Sequence, residues 1–418
     1  MSTPSLPALS PSVVDRIRAI SQEGIDLLRS RVTAVSDPFW KGLKALGTEL
    51  WLDTGDIDGA SKLWAAELSA LTTNNTLLNA EVQKGIYDDL IAQTAKALSG
   101  LDPERRVMEV AFVLNARHGL RLAQRFGGKV SVELHTGVSH DVEAAVAYGR
   151  RFFDICPQHF IVKVPLTPAG LIATRQLRRD GIPVNFTLGF SARHNYLAAA
   201  FAEPSYVNVF LGRLNAYFAD NKLGDGKLVG EKATLASQRL VRQLSRGHKS
   251  PTLQIAASLR GAGQVASLAG LDVYTMPPKV AEAARKELPS TWKASTEEEY
   301  PVALSPGVDP AGVRWETLWD LSSGMTALAE RLLKAPPTTP EALVAQAEAC
   351  GARDLFPRLG TADLDLIARE GKVPKHETWR ARIQSGELAI DTLLNIAGLL
   401  SFTADQRDLD DRIRRLVG

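Results

Sequence analysis

The heptapeptide HFIVKVP, His159 to Pro165, places a single lysine, Lys163, in a run of apolar and β-branched residues. Burial disfavours a charged ammonium, so a lysine held in such a run is favoured as the neutral, nucleophilic amine. An amine of that kind attacks a ketose carbonyl, and the iminium left after loss of water draws electrons from a nearby carbon–carbon bond. The chemistry also needs a carboxylate for the proton of the cleaved hydroxyl, and a proton shuttle for the dehydration. Asp53, at the end of ELWLD, suits the first task. Glu133, at the end of VSVE, suits the second with Thr187, through a water. Arg213, Ser258 and Arg260 follow two further apolar runs, and two arginines with a serine would hold a phosphate.

Each of these residues also has a plainer explanation. A lone lysine in a strand usually lies at a sheet edge with its ammonium in water. An aspartate before Thr-Gly is commonly a turn former. Asn185, Thr187 and Asn208 could be satisfied by neighbouring backbone, Arg213 could be a surface residue, and Glu133 a solvated strand end. What weighs against these explanations is recurrence, since they must all hold at equivalent ends of successive apolar runs.

Those runs are ELWLD (49–53), KVSVEL (129–134), FIVKVP (160–165), PVNFTL (183–188), YVNVFLG (206–212), TLQIAA (252–257) and DVYTM (272–276). A weaker one lies near SALTTN (69–74). Amphipathic stretches such as HDVEAAVAYGRRFFDIC and AGLIATRQLRRDG separate them. The alternation implies parallel strands joined by crossover helices, hence an α/β fold. About eight strands over roughly 250 residues is the size of a (β/α)8 TIM barrel, with a doubly wound sheet as the competing architecture. Either one binds ligands beyond the C-terminal ends of its strands, where the polar residues fall. Strand parity puts Asn185 and Thr187 on one face and Val184 and Phe186 on the other. In a barrel the polar set would have to point inward.

Ser10-Pro11 has the form of a helix start, and a helical pattern follows through Val13, Ile17, Ile20, Ile25 and Leu28. Residues 1–48 are therefore read as an N-terminal helical lead and 49–334 as the barrel. The paired prolines of KAPPTTPEALV break the preceding helix, and Thr339-Pro340-Glu341 begins another. Residues 335–418 are read as a small C-terminal helical extension. A net charge of +2, with the basic residues scattered, argues against nucleic acid as a partner. Cys156 and Cys350 cannot form a disulfide framework and lack metal-ligand spacing. No basic and apolar leader opens the chain, and LAIDTLLNIAGLLSF is too short to span a bilayer and carries Asp391. A soluble protein of the reducing cytoplasm, bound to no membrane and needing no metal, is expected.

LDTGDI, TTNNTLL, VSVEL, FIVKVPLTPAGLIATRQLRRDGIPVNFTLGFS, VFLGRL and AASLRGAGQVASLAGLDVYTM, in this order, resemble the transaldolases, as does the closing VRWETLWDLSSGMTALAERLL. The resemblance runs from about Leu50 to about Lys334. It implies a class I aldolase-type barrel that needs no cofactor and acts on sugar phosphates. The implied reaction moves a dihydroxyacetone unit from a ketose phosphate, such as sedoheptulose 7-phosphate or fructose 6-phosphate, to an aldose phosphate in the pentose phosphate pathway. A homo-oligomer is compatible with it. By the same resemblance Lys163 is the Schiff-base lysine and Asp53 the acid/base of bond cleavage, with Glu133 and Thr187 on the catalytic water. Asn74 and Asn185 contact the donor hydroxyls, and Arg213, Ser258 and Arg260 the phosphate.

Two positions depart from the family pattern. Asn75 replaces a proline, and Asn208 replaces a serine that contacts the donor's end hydroxyl, which makes Asn208 the expected seat of any change in donor choice. Two rival readings are a catalytically silent barrel and a nicotinamide-dependent oxidoreductase. The second rests on Gly261, Gly263 and Ala266 in a GxGxxA pattern, but Asp272 follows sooner than the acidic residue of that fingerprint should.

Overall fold

The computed structural model describes residues 9–29, 31–248 and 251–417, so the first eight residues of the N-terminal lead lie outside the described residues. Eight strands, β1 (Glu49–Asp53), β2 (Leu68–Thr72), β3 (Lys129–Glu133), β4 (Phe160–Pro165), β5 (Val184–Thr187), β6 (Tyr206–Phe210), β7 (Leu253–Ala257) and β8 (Val273–Met276), pair in chain order. Every pair is parallel and β8 returns to β1, which closes a (β/α)8 barrel. A closed barrel has no free sheet edge, so Lys163 cannot be an edge lysine reaching into water. Nor does it have the crevice of an open sheet, where a dinucleotide would lie.

Both faces of the strands are covered. Leu50, Leu52, Val130, Val132, Val162, Val164, Val184, Phe186, Val207 and Val209 are almost wholly buried. Each such side chain contributes about 1.5–3 kcal/mol relative to exposure. The register lines up the polar residues of the opposite parity. Glu133 pairs with Lys163, and Lys163 pairs with Asn185.

Most strand boundaries differ from the sequence reading by a residue or two, and four departures have a visible cause. The strand predicted to reach Leu188 ends at Thr187, because Leu188 turns to a positive φ of 66°. The strand predicted to reach Gly212 ends at Phe210, where a helix, Leu211–Asp220, begins at once. A Cβ at Gly212 would come within 2.1 Å of the Ser258 carbonyl oxygen, so glycine lets the β6 and β7 ends meet closely. The run predicted over 69–74 forms β2 at 68–72, since Asn74 is the cap of a helix, Asn75–Val82. The first helix, Pro11–Gln22, stops before Ile25 and Leu28, at Glu23-Gly24 with Gly24 at φ 71°.

After the helix Ser323–Lys334, the chain continues as helices Pro340–Ala349, Thr361–Glu370, His376–Gln384 and Ile390–Val417. Thr339 caps the first of these, its hydroxyl accepting from the Ala342 N–H at 3.2 Å. The last one lies over the C-terminal mouth of the barrel. Its Asn395 amide donates to the carbonyls of Leu166 (3.2 Å) and Leu188 (2.9 Å), both just beyond strand ends. Gln406 accepts from Asn75 at 2.7 Å, and Arg412 pairs with Asp88 at 2.7 Å. No helix among the described residues is long and apolar enough to cross a membrane.

Candidate active site

The mouth of the barrel encloses a cavity of about 180 Å3. Nine of the ten residues singled out from the sequence line it: Asp53, Asn74, Lys163, Asn185, Thr187, Asn208, Arg213, Ser258 and Arg260. Glu133 is not on the wall. It sits beside Lys163, a carboxylate oxygen 3.1 Å from the ammonium nitrogen.

Lys163 is buried, 4 % exposed, but not alone. Its amine donates to the Thr73 carbonyl at 3.0 Å and faces Glu133. Burial pushes the Glu133 carboxyl above the ordinary value for a glutamate; Lys163 opposes that shift, and Asp53 adds to it. A carboxylate with raised proton affinity touching an ammonium is placed to take its proton and leave a free amine. The sequence showed only apolar flanks around this lysine; the structure sets a carboxylate against it.

Asp53 ends β1, where its carboxylate accepts from the Thr72 hydroxyl at 2.7 Å. Thr72 in turn lies 2.6 Å from the Thr275 hydroxyl. Burial raises the pKa of Asp53, while Lys163, the Thr72 hydrogen bond and Arg260 pull it back. Thr187 is fully buried, and its hydroxyl oxygen has no hydrogen-bond partner among the described residues. Buried hydroxyls are nearly always satisfied, so one facing a cavity is available to a ligand or water.

The three asparagines differ. Asn74 caps the helix Asn75–Val82 by accepting from the Leu77 N–H at 2.9 Å, which leaves its amide hydrogens toward the cavity. Asn185 donates to Ser131 at 3.0 Å. Asn208 gives its amide hydrogens to the Asn185 side-chain oxygen and the Phe186 carbonyl, both at 3.1 Å, while its own oxygen accepts from Gly189 at 3.4 Å. Its donors are thus used within the protein, and its role on the wall is to hold Asn185.

Arg213, also on the cavity wall, is buried, with Nε and Nη1 unpartnered among the described residues. Burial and the neighbouring Arg260 push it down to about 10. A guanidinium withdrawn from water beside a second one is costly unless an anion joins them. Ser258 adopts a left-handed φ of 61°, uncommon for a residue with a side chain, where the chain turns into the cavity.

The sequence reading missed Thr72 and Thr275, which sit on inward positions of β2 and β8, and it missed Lys372 and Phe402, which also line the cavity. Parity along SALTTN and DVYTM could have indicated the threonines. Nothing local could have indicated the other two, which lie more than 200 residues from Lys163. The Phe402 ring centre is 5.9 Å from the Lys163 nitrogen. Among the described residues no group of three or more His, Cys, Asp or Glu is placed to hold a metal ion.

A closed parallel barrel with a lysine–carboxylate pair buried in its mouth defines the class, a (β/α)8-barrel protein with a polar cavity at the C-terminal ends of its strands. The chain belongs to the transaldolase/fructose-6-phosphate aldolase family, whose pattern it matches over residues 50–333. It is similar to the transaldolase of Xanthomonas euvesicatoria, 31 % identical over 249 residues that make up 57 % of this chain and 76 % of the relative. A relative from Thermus thermophilus, described as "Probable transaldolase", is 36 % identical over 235 residues, 56 % of this chain and 88 % of the relative. The transaldolase of Acidobacterium capsulatum is 28 % identical over 257 residues, 58 % and 75 % of the two chains.

Proposed function

We propose that the protein is a transaldolase that carries a dihydroxyacetone unit from a ketose phosphate to an aldose phosphate through a Schiff base on Lys163. The observation that carries this reading is the buried Lys163–Glu133 pair at 3.1 Å, beside a cavity lined also by two arginines that have no carboxylate partner among the described residues. Glu133 takes the ammonium proton, and the free amine adds to the C2 carbonyl of the donor. Water then leaves as Glu133 returns the proton to the carbinolamine oxygen, with Thr187 holding that water. Asp53 accepts the C4 hydroxyl proton while the C3–C4 bond breaks, and the electron pair passes into the iminium to give an enamine. The aldose phosphate departs. An acceptor aldehyde is attacked by the enamine, its new hydroxyl takes the proton back from Asp53, and hydrolysis frees the product from Lys163. Arg213, Ser258 and Arg260 hold the phosphate, and Asn74 and Asn185 the donor hydroxyls.

A second reading, a Schiff-base enzyme of the same family with altered donor choice, is favoured by Asn208, whose amide is spent on Asn185 and Phe186. Incubation with a panel of ketose phosphates and borohydride, followed by mass mapping, tests both. Attachment to Lys163 is expected, as is loss of transfer in Lys163→Ala with the fold retained. Transfer that survives Lys163→Ala would refute the mechanism, and the pattern of trapped sugars separates the two readings.

A further inference from the structure

We propose that the helical region after Lys334 completes the sugar-phosphate site, with Lys372 as a third cation at its anion end and Phe402 as a roof over Lys163. This rests on the reading just given, but on residues beyond position 333, where the family match stops.

Lys372 lies in the turn between the helices Thr361–Glu370 and His376–Gln384, exposed to water yet on the wall of the same cavity as Arg213 and Arg260. The nearest acid in sequence, Glu370, is already engaged. It accepts from the Lys375 N–H, the Thr378 hydroxyl and the Trp379 indole at 3.1, 2.7 and 2.9 Å. The Lys372 ammonium is in no ion pair among the described residues, so it adds positive charge to the wall of a cavity that two guanidiniums already line. A phosphate at near −2 charge suits three cations better than two.

Phe402 is 4 % exposed and stands on the helix Ile390–Val417. That helix is seated against the site itself. A Cβ at Gly398 would come within 2.8 Å of an Arg213 Nη1, so the absence of a side chain lets the helix backbone lie on that arginine. After cleavage, the enamine is lost if a proton adds to its carbon and water then adds to the iminium, which expels dihydroxyacetone and restores the amine. A hydrocarbon ring 5.9 Å from the Lys163 nitrogen limits the access of that water and holds the unit until an acceptor arrives.

The test uses the full-length chain and two probes trapped with borohydride, dihydroxyacetone and fructose 6-phosphate. In Lys372→Met the half-saturating concentration of fructose 6-phosphate, relative to that of dihydroxyacetone, is expected to rise about fivefold, the loss of one charged contact. The change should narrow in high salt, since an exposed cation is screened, and Lys372→Arg should largely restore the ratio. In Phe402→Ala the dihydroxyacetone released per unit transferred should rise about tenfold, the scale of roughly 1.4 kcal/mol, and Phe402→Leu should recover most of the difference. Unchanged ratios in Lys372→Met and in Phe402→Ala, with both probes still trapped on Lys163, would overturn this inference alone. If the wild-type chain traps neither probe on Lys163, the underlying mechanism falls and takes this inference with it.

Discussion

Arg193→Met is expected to lower stability by about 3–5 kcal/mol at neutral pH, and the deficit should shrink in acid. Arg193 joins the barrel to the C-terminal helices. Its guanidinium grips Asp391 with two bonds, at 2.8 and 2.9 Å, and Asp354 with a third at 3.0 Å. All three side chains are buried, Asp391 completely. Methionine fills much of the same space but leaves the carboxylates behind. Asp354 keeps Arg314 at 3.2 Å, so the cost falls on Asp391. Asp391 keeps the Thr392 N–H at 2.9 Å, a hydrogen bond from the Ser191 hydroxyl and His194 at 3.3 Å, and burial holds that histidine down at about 4, hence neutral at pH 7. Removing one partner of a buried pair costs about 3–5 kcal/mol. With an unfolding entropy near 2.1 cal/mol/K per residue, a chain of 418 residues unfolding as one unit carries about 0.9 kcal/mol/K. The melting temperature should therefore fall by about 3–6 °C.

The sign with pH follows from Asp391. In the wild-type chain Arg193 and His194 outweigh burial and hold its pKa far below the ordinary aspartate value. The stabilisation is therefore complete above the unfolded value and is lost as pH falls through the folded one. Without Arg193, burial dominates and lifts the folded pKa above the unfolded value, so the variant regains stability on acidification. His194, freed from the repulsion of Arg193, gains proton affinity and works in the same direction. Scanning calorimetry from pH 7 to pH 4.5 should show the two melting temperatures converging. A deficit under 1 °C at pH 7, or one that widens toward pH 5, would refute this account. Replacing both charges, Arg193→Met with Asp391→Leu, should recover most of the loss, because an apolar pair leaves no buried charge behind.

Asp53→Asn should retain borohydride trapping on Lys163 while transfer falls by about 10²-fold or more, since a general base contributes roughly 10²–10⁴-fold; loss of both in a folded variant would place Asp53 in Schiff-base formation instead. The raised pKa of Asp53 puts the acid limb of its kcat/KM profile above the ordinary aspartate range. Thr72→Val removes a hydrogen bond that favours the ionised form, so it should move that limb to still higher pH; a downward move would contradict the role of Asp53 as base. Asn208→Ser loses the bond to Asn185, should cost about 1–2 kcal/mol in a denaturant melt, and should raise activity with fructose 6-phosphate. An unchanged donor profile would show that Asn208 does not set donor choice. Gly398→Ala forces Arg213 aside and should weaken sugar-phosphate binding several-fold, readable as a higher KM, while an unaltered KM would mean that the helix yields instead.

The barrel was legible because its signals are local. Alternation of apolar runs with amphipathic stretches needs only a few residues to be visible, and parity within a run already put Asn185 and Thr187 on one face. Strand ends were harder to read, for a tertiary reason. Leu188 and Leu211 look like continuing strand, yet the chain leaves the sheet there because the Leu188 carbonyl goes to Asn395 and Gly212 must approach Ser258. No neighbour in sequence announces those contacts. The same holds for Glu133. Its place at a strand end was plain, but its contact with the amine depends on a register between β3 and β4 that only the closed barrel sets.

The helix over the mouth shows what a sequence can carry without giving its meaning away. In LLNIAGLLSF, Asn395 and Gly398 interrupt an apolar stretch that would otherwise bury its face on any partner. A polar amide and a missing side chain in such a stretch are costly unless something specific fits them. Here two strand-end carbonyls fit the amide, and a buried guanidinium fits the gap. Both features face the barrel mouth, and Phe402 follows one turn later, over Lys163. The interruptions thus fix how the helix is rotated and how far along the mouth it lies, and that rotation brings an aromatic ring over the amine. A helix held only by apolar contact could slide by a turn at little cost. This one cannot without leaving the Asn395 amide and two carbonyls unpaired in the interior, so the position of Phe402 is set by Asn395 and Gly398 rather than by the ring's own packing.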